Sequence, residues 1–80
     1  MTAIEPFILF TRQDCHLCDV AARMLDQAEI DWQAVDIDSD PELVRQYGIH
    51  VPVVRHPASR RELFFPFDEG QLLLFTGVKP

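Results

Sequence analysis

The sequence predicts an α/β domain: a four-stranded mixed sheet with helices on both faces, in the order βαβαββα. Three observations lead there. A continuous apolar run at residues 7–10 gives way, after Cys15, to apolar residues at three- and four-residue steps. The stretch SDPELVRQYG at 39–48 carries the start and stop signals of a short helix. Two β-rich stretches, one around Val53 and one at residues 62–65, flank the turn sequence PASRR.

Each element has its own reason. Residues Ile4 to Phe10, punctuated by Pro6, are β-branched and aromatic, and their apolar centre suits a strand covered on both faces. Leu17, Val20, Ala21, Met24, Leu25 and Ala28 fall on one side of a helix beginning near Cys15. Asp19 and Arg23 are expected to pair at i,i+4 on its outer side. A second strand fits Trp32 to Ile37, with Trp32, Ala34 and Asp36 alternating against Gln33, Val35 and Ile37. The next helix has Asp40 as N-cap, Pro41 at its first position, Glu42 in its first turn and Gly48 just past its end. Val51, Val53 and Val54 around Pro52 suggest a third strand, and ELFF a fourth, antiparallel to it. Asp68 and Gln71 resemble a capping box opening a last helix that Gly77 ends. Helical connections imply right-handed parallel crossovers among the first three strands, and the final hairpin adds an antiparallel edge.

A chain of 80 residues makes one domain, 1–80, with a thin core, since it buries only roughly 60% of the surface its unfolded form exposes. With 48% hydrophobic and 25% charged residues it has ordinary globular usage, which excludes a disordered or low-complexity scaffold. The net charge of -6 repels phosphate backbones and anionic membranes, so neither nucleic acid nor membrane is an expected partner. No apolar run approaches the roughly 18 residues that span a bilayer. The start MTAIEPF places Glu5 and Pro6 where a signal peptide needs an apolar stretch. A cytoplasmic monomer is the expectation.

The chemistry sits in TRQDCHLCD, residues 11–19. Two cysteines are too few for the disulfide framework of a small secreted domain. Three readings compete for them: a redox dithiol, half of a metal site, or a structural pair. A polar helix start flanked by Asp14, His16 and Asp19 weighs against the structural pair. Zinc wants four ligands, and only three histidines are available to complete a set. The redox dithiol is favoured. Asp36, Asp38, Asp40 and Glu42 lack the loop glycine and distal glutamate of a calcium loop. Arg55, Arg60 and Arg61 read as a solvated turn, His50 and His56 as surface residues, and Trp32, Phe64 and Phe65 as core.

A strand, then Cys15-His16-Leu17-Cys18 opening a helix, then a βα unit, then Val51-Pro52 entering a strand resembles the thioredoxin fold in the compact form of short bacterial glutaredoxin-like proteins. Arg12 matches the basic residue often found three positions before the first cysteine, Val51-Pro52 matches the family's cis-proline site, and Tyr47-Gly48-Ile49-His50 looks like the approach to the cis-proline in thioredoxins, with one residue fewer. The resemblance implies a thiol–disulfide oxidoreductase in which Cys15 attacks and Cys18 resolves. It also implies substrate contacts from the Val51 main chain, Pro52, Phe67 and Asp68. No resident cofactor or metal is implied; the partner would be a protein or a low-molecular-weight thiol or disulfide, with glutathione a candidate co-substrate. Two departures stand out. Phe64-Phe65-Pro66-Phe67-Asp68 replaces the Gly-Gly pair that lets glutathione approach, and Asp14 and Leu9 stand where thioredoxins carry a tryptophan and a buried carboxylate. The alternative reading is a peptide-binding or accessory module with little redox turnover.

The attacking species in thiol–disulfide exchange is the thiolate, so one cysteine must titrate below the free value of about 8.5. At a helix start, Cys15 would face unpaired N–H groups and the positive end of the helix dipole. Cys18, one turn further in, is the less exposed partner. A protonated His16 favours the Cys15 thiolate, Asp14 opposes it, and Arg12 is expected to offset Asp14.

Overall fold

The computed structural model describes residues 5–77. Its elements are β1 (Phe7–Thr11), α1 (His16–Gln27), β2 (Trp32–Asp36), a 3-10 turn (Ile37–Ser39), α2 (Pro41–Tyr47), β3 (Val53–Arg55), β4 (Glu62–Phe64) and α3 (Glu69–Thr76). The expected start of the first strand at Ile4 lies outside the described residues. The strand begins at Phe7, just after Pro6, whose missing N–H cannot join a ladder. Ile37, expected to end β2, instead opens the 3-10 turn, where the Asp36 carboxylate accepts the Asp38 N–H at 2.9 Å.

The strand order is β2-β1-β3-β4. β1 and β2 are parallel, from Phe7 opposite Trp32 to Thr11 opposite Asp36. β3 is antiparallel to β1, with Phe10 opposite Val53, and β4 is antiparallel to β3. This corrects the expected run of parallel crossovers: only the β1–β2 pair is parallel. The reason is length. A parallel return would carry the chain back along the sheet, but the seven residues of α2 rise only about 10 Å against the roughly 17 Å of a five-residue strand. The chain therefore re-enters the sheet at the end where it left.

Side-chain alternation divides the core between the two faces. Leu9 and Val54 point to the side packed by Ala21 and Leu25 of α1 and Leu72 of α3. Phe10 and Val53 point to the other, packed by Leu43, Val44 and Tyr47 of α2. Leu9, Leu25 and Leu72 are fully buried, each contributing roughly 1.5–3 kcal/mol of hydrophobic stabilisation. Among the described residues no helix is long and apolar enough to cross a membrane.

The helix ends follow their sequence signals with two refinements. At the end of α1 the Ile30 N–H donates to the Leu25 carbonyl at 3.0 Å and the Glu29 N–H to Asp26 at 3.0 Å, a Schellman closure with Glu29 at φ 57. Gly48, expected just past the end of α2, is its C-cap with φ -51; what the missing side chain supplies there is room, because a Cβ would lie 2.5 Å from the Val44 carbonyl oxygen. α3 has the full capping box, with Asp68 N–H to Gln71 at 2.9 Å and Gln71 N–H to Asp68 at 2.7 Å, and ends at Gly77 with φ 77.

Four smaller expectations change. Asp19 and Arg23 are both exposed and form no ion pair among the described residues. Phe64 is exposed on β4, edge-on to His50. His56 is half-buried: its ring packs edge-on to Phe7, and its Nδ1 accepts the Ala58 N–H at 3.1 Å. Arg55 belongs to β3 rather than to the turn, and its guanidinium bonds both Tyr47 and Glu62.

Candidate functional site

The site begins where β1 runs out. After Thr11 the chain turns through Asp14, whose φ of 57 is tolerated by a short polar residue that can bond locally, and meets α1 at Cys15. Cys15 is the N-cap: its backbone is extended and its sulfur accepts the Cys18 N–H at 3.1 Å. Cys15 and Cys18 are joined as a disulfide with a Cα–Cα separation of 5.2 Å, inside the usual range for the bond. Cys18 is 4% exposed and Cys15 is partly exposed. An incoming sulfur can therefore reach Cys15 but not Cys18. His16, Leu17 and Asp19 project into solvent around the pair.

The segment before β3 arrives at the same end of the sheet. Continuing the antiparallel register one step beyond the Phe10–Val53 pair sets Pro52 opposite Thr11. The Val51–Pro52 bond is cis, as is Phe65–Pro66. Pro52 is fully buried, and its carbonyl accepts the Phe65 N–H at 3.2 Å. The Val51 N–H donates to the Tyr47 carbonyl at 3.1 Å, which also takes the His50 N–H at 2.8 Å. Of the two main-chain groups of Val51, the carbonyl alone has no backbone partner among the described residues.

Arg12 ties these parts together. Its guanidinium forks onto Asp38, Nη2 to Oδ1 at 2.8 Å and Nε to Oδ2 at 3.2 Å, and its Nη1 donates to the Gly48 carbonyl at 3.3 Å. The Asp38 carboxylate raises the guanidinium pKa above its ordinary value, first through the hydrogen bond and then through charge. Arg12 is thus directed to the 3-10 turn and the α2–β3 loop, and its charge is matched by Asp38, not by Asp14.

Phe67 and Asp68 separate. Phe67 is 6% exposed and packs in the core with α1 and α3, so its side chain supports the fold. Asp68 is exposed at the head of α3 and is engaged in the capping box. A cavity of about 550 Å³ lies on the α2 side of the sheet beside Ile8, Gln33, Arg55 and Arg60; neither cysteine lines it. Among the described residues no three His, Cys, Asp or Glu side chains converge as metal ligands would.

Two supports of the site were not anticipated. Tyr47 stacks on Phe10 with ring centroids 4.4 Å apart while its carbonyl holds the loop before Pro52. Its hydroxyl bonds Glu62 and accepts from Arg55 Nη2 at 2.6 Å. A lone tyrosine at the last position of an amphipathic helix was the available signal. Asp38 lies 26 residues from Arg12, and no local pattern connects them.

A parallel βαβ unit with a disulfide at the head of its first helix, followed by an antiparallel hairpin and a closing helix, defines a thioredoxin-like α/β protein. The chain belongs to the glutaredoxin-like domain family (DUF836), whose model matches residues 7–74. It is similar to the X-ray structure of the Northeast Structural Genomics target XcR50 from X. campestris, at 43% identity over 92% of this chain and 99% of that one, with a TM-score of 0.83. The solution structure of the same target gives 42% identity over 95% and 97% of the two chains, at a TM-score of 0.82. Protein Ne2328 from Nitrosomonas europaea, at 23% identity over 94% and 96% and a TM-score of 0.68, shares the fold. No curated protein matches the chain significantly.

Proposed function

We propose that this protein is a thiol–disulfide oxidoreductase of the reducing cytoplasm, acting as a monomer through its dithiol. In the reducing direction the Cys15 thiolate attacks a substrate disulfide, forming a mixed disulfide and releasing one substrate thiolate, which takes up a proton. Cys18 then attacks the Cys15 sulfur, releasing the second substrate thiol and leaving the Cys15–Cys18 disulfide. Two electrons pass to the substrate, and a protein or low-molecular-weight thiol restores the dithiol. The observation that carries this reading is the asymmetry of the pair: a partly exposed sulfur at the helix N-cap and a buried one a turn inside.

Val51, through its carbonyl, and Pro52 are the proposed edge for an extended substrate segment, adding a strand in the manner of β-augmentation. Asp68, exposed at the head of α3, is the proposed further substrate contact, and His16 and Asp14 tune the thiolate. No resident cofactor or metal takes part.

The test is a redox titration in thiol buffers, read by alkylation mass shift. A reversible two-electron potential between about -280 and -180 mV, the range from thioredoxin to disulfide isomerase, is expected. Cysteines that do not exchange with a physiological thiol would overturn the reading and leave a peptide-binding module.

A further inference from the structure

We infer that the Arg12–Asp38 pair makes the dithiol selective for disulfides with cationic flanks, so that its substrate class is a basic protein or peptide disulfide and not glutathione disulfide. The inference rests on the dithiol reading above and adds to it the charge that an incoming disulfide meets.

Three observations carry it. The guanidinium nearest Cys15 in the chain is spent: both oxygens of Asp38 engage Arg12, and its remaining bond goes to the Gly48 carbonyl. The carboxylates flanking the nucleophile are not spent. Asp14 precedes Cys15 directly and Asp19 follows one turn on; both are exposed and neither is in an ion pair among the described residues. The main-chain donor that would meet a substrate beside Pro52 is occupied as well, since the Val51 N–H bonds the Tyr47 carbonyl. Glutathione disulfide is an anion whose carboxylates need a cation or free N–H groups to replace their water. Here the Arg12 guanidinium and the Val51 N–H are already matched, while two exposed carboxylates flank the reacting cysteine in the chain. A lysine or arginine beside the substrate disulfide gains where glutathione loses, and the field raises its rate of encounter.

The chemistry is the exchange written above, with the reduced protein as electron donor. The substrate S–S bond breaks, the Cys15–Cys18 bond forms, and two substrate thiols leave.

The test is stopped-flow oxidation of the reduced protein by four disulfides: matched peptides flanked by lysine or by glutamate, glutathione disulfide, and neutral hydroxyethyl disulfide. The lysine peptide is expected to react at least about tenfold faster than the glutamate peptide at low ionic strength, with the gap closing as salt shortens the Debye length. Asp14→Asn/Asp19→Asn, and separately Asp38→Asn, which frees the Arg12 charge, are expected to lower the lysine-to-glutamate ratio several-fold. The ratio cancels any change in the intrinsic reactivity of Cys15, which would alter all four rates together. Asparagine tolerates the left-handed backbone at position 14. Equal rates for the two peptides, or a faster reaction with glutathione disulfide, would overturn the inference. Failure of the neutral disulfide to oxidise the protein would instead overturn the dithiol reading, and the inference with it.

Discussion

The Cys18 backbone N–H donates to the Cys15 sulfur at 3.1 Å, so the first cysteine caps the helix that carries the second. One bond bears on both roles: it turns a helix N–H that has no intrahelical partner toward the nucleophile, and it comes from the buried Cys18 one turn in.

That contact favours a negative sulfur, because N–H groups at a helix N-terminus stabilise the thiolate over the thiol. In a Cys18→Ser variant, iodoacetamide labelling of Cys15 should therefore titrate with a midpoint below about 8.5. A midpoint at or above the free-thiol value would show that the cap does not activate it.

Tyr47 provides an independent probe, because it is the one tyrosine in the sequence. Burial raises its phenol pKa, and its hydrogen bond to Glu62 raises it further, while the bond from Arg55 acts the other way. Absorbance titration at high pH should place its ionisation above the usual value of about 10. The sign of the linkage follows. The contribution to stability is fully present below the unfolded pKa and is lost as pH rises through the folded one, so Tyr47→Phe should flatten the alkaline fall in stability. Near neutral pH the same variant leaves Glu62 and Arg55 short of a partner, and denaturant melts should show a loss of about 1–2 kcal/mol.

At the end of α1, Glu29 holds φ 57 in a Schellman closure, a position that glycine occupies without strain. Glu29→Gly should stabilise the protein by about 0.5–1 kcal/mol in urea melts, since the relieved left-handed strain exceeds the extra entropy of the unfolded chain. A destabilised variant would mean that the Glu29 side chain contributes something the backbone geometry does not reveal.

Much of this protein is legible in its sequence because it is written in short-range signals. The period change after Cys15, the Asp40-Pro41 start of α2 and the Asp68–Gln71 capping box are local agreements between residue type and backbone, and each element stands where they indicate. The dithiol is legible for the same reason, since two cysteines three residues apart at a helix start need only one turn of helix to meet. Tertiary structure alone decided what depends on distance across the chain. The direction of β3 follows from where a seven-residue helix releases it, and a hydrophobic pattern carries no sign for direction. The partner of Arg12 follows from the parallel register that sets Thr11 beside Asp36, which brings Asp38 within 2.8 Å of a guanidinium that sequence proximity would have assigned to Asp14. Long-range electrostatic choices of this kind are made by the nearest charge in space, and only the folded sheet determines which charge that is.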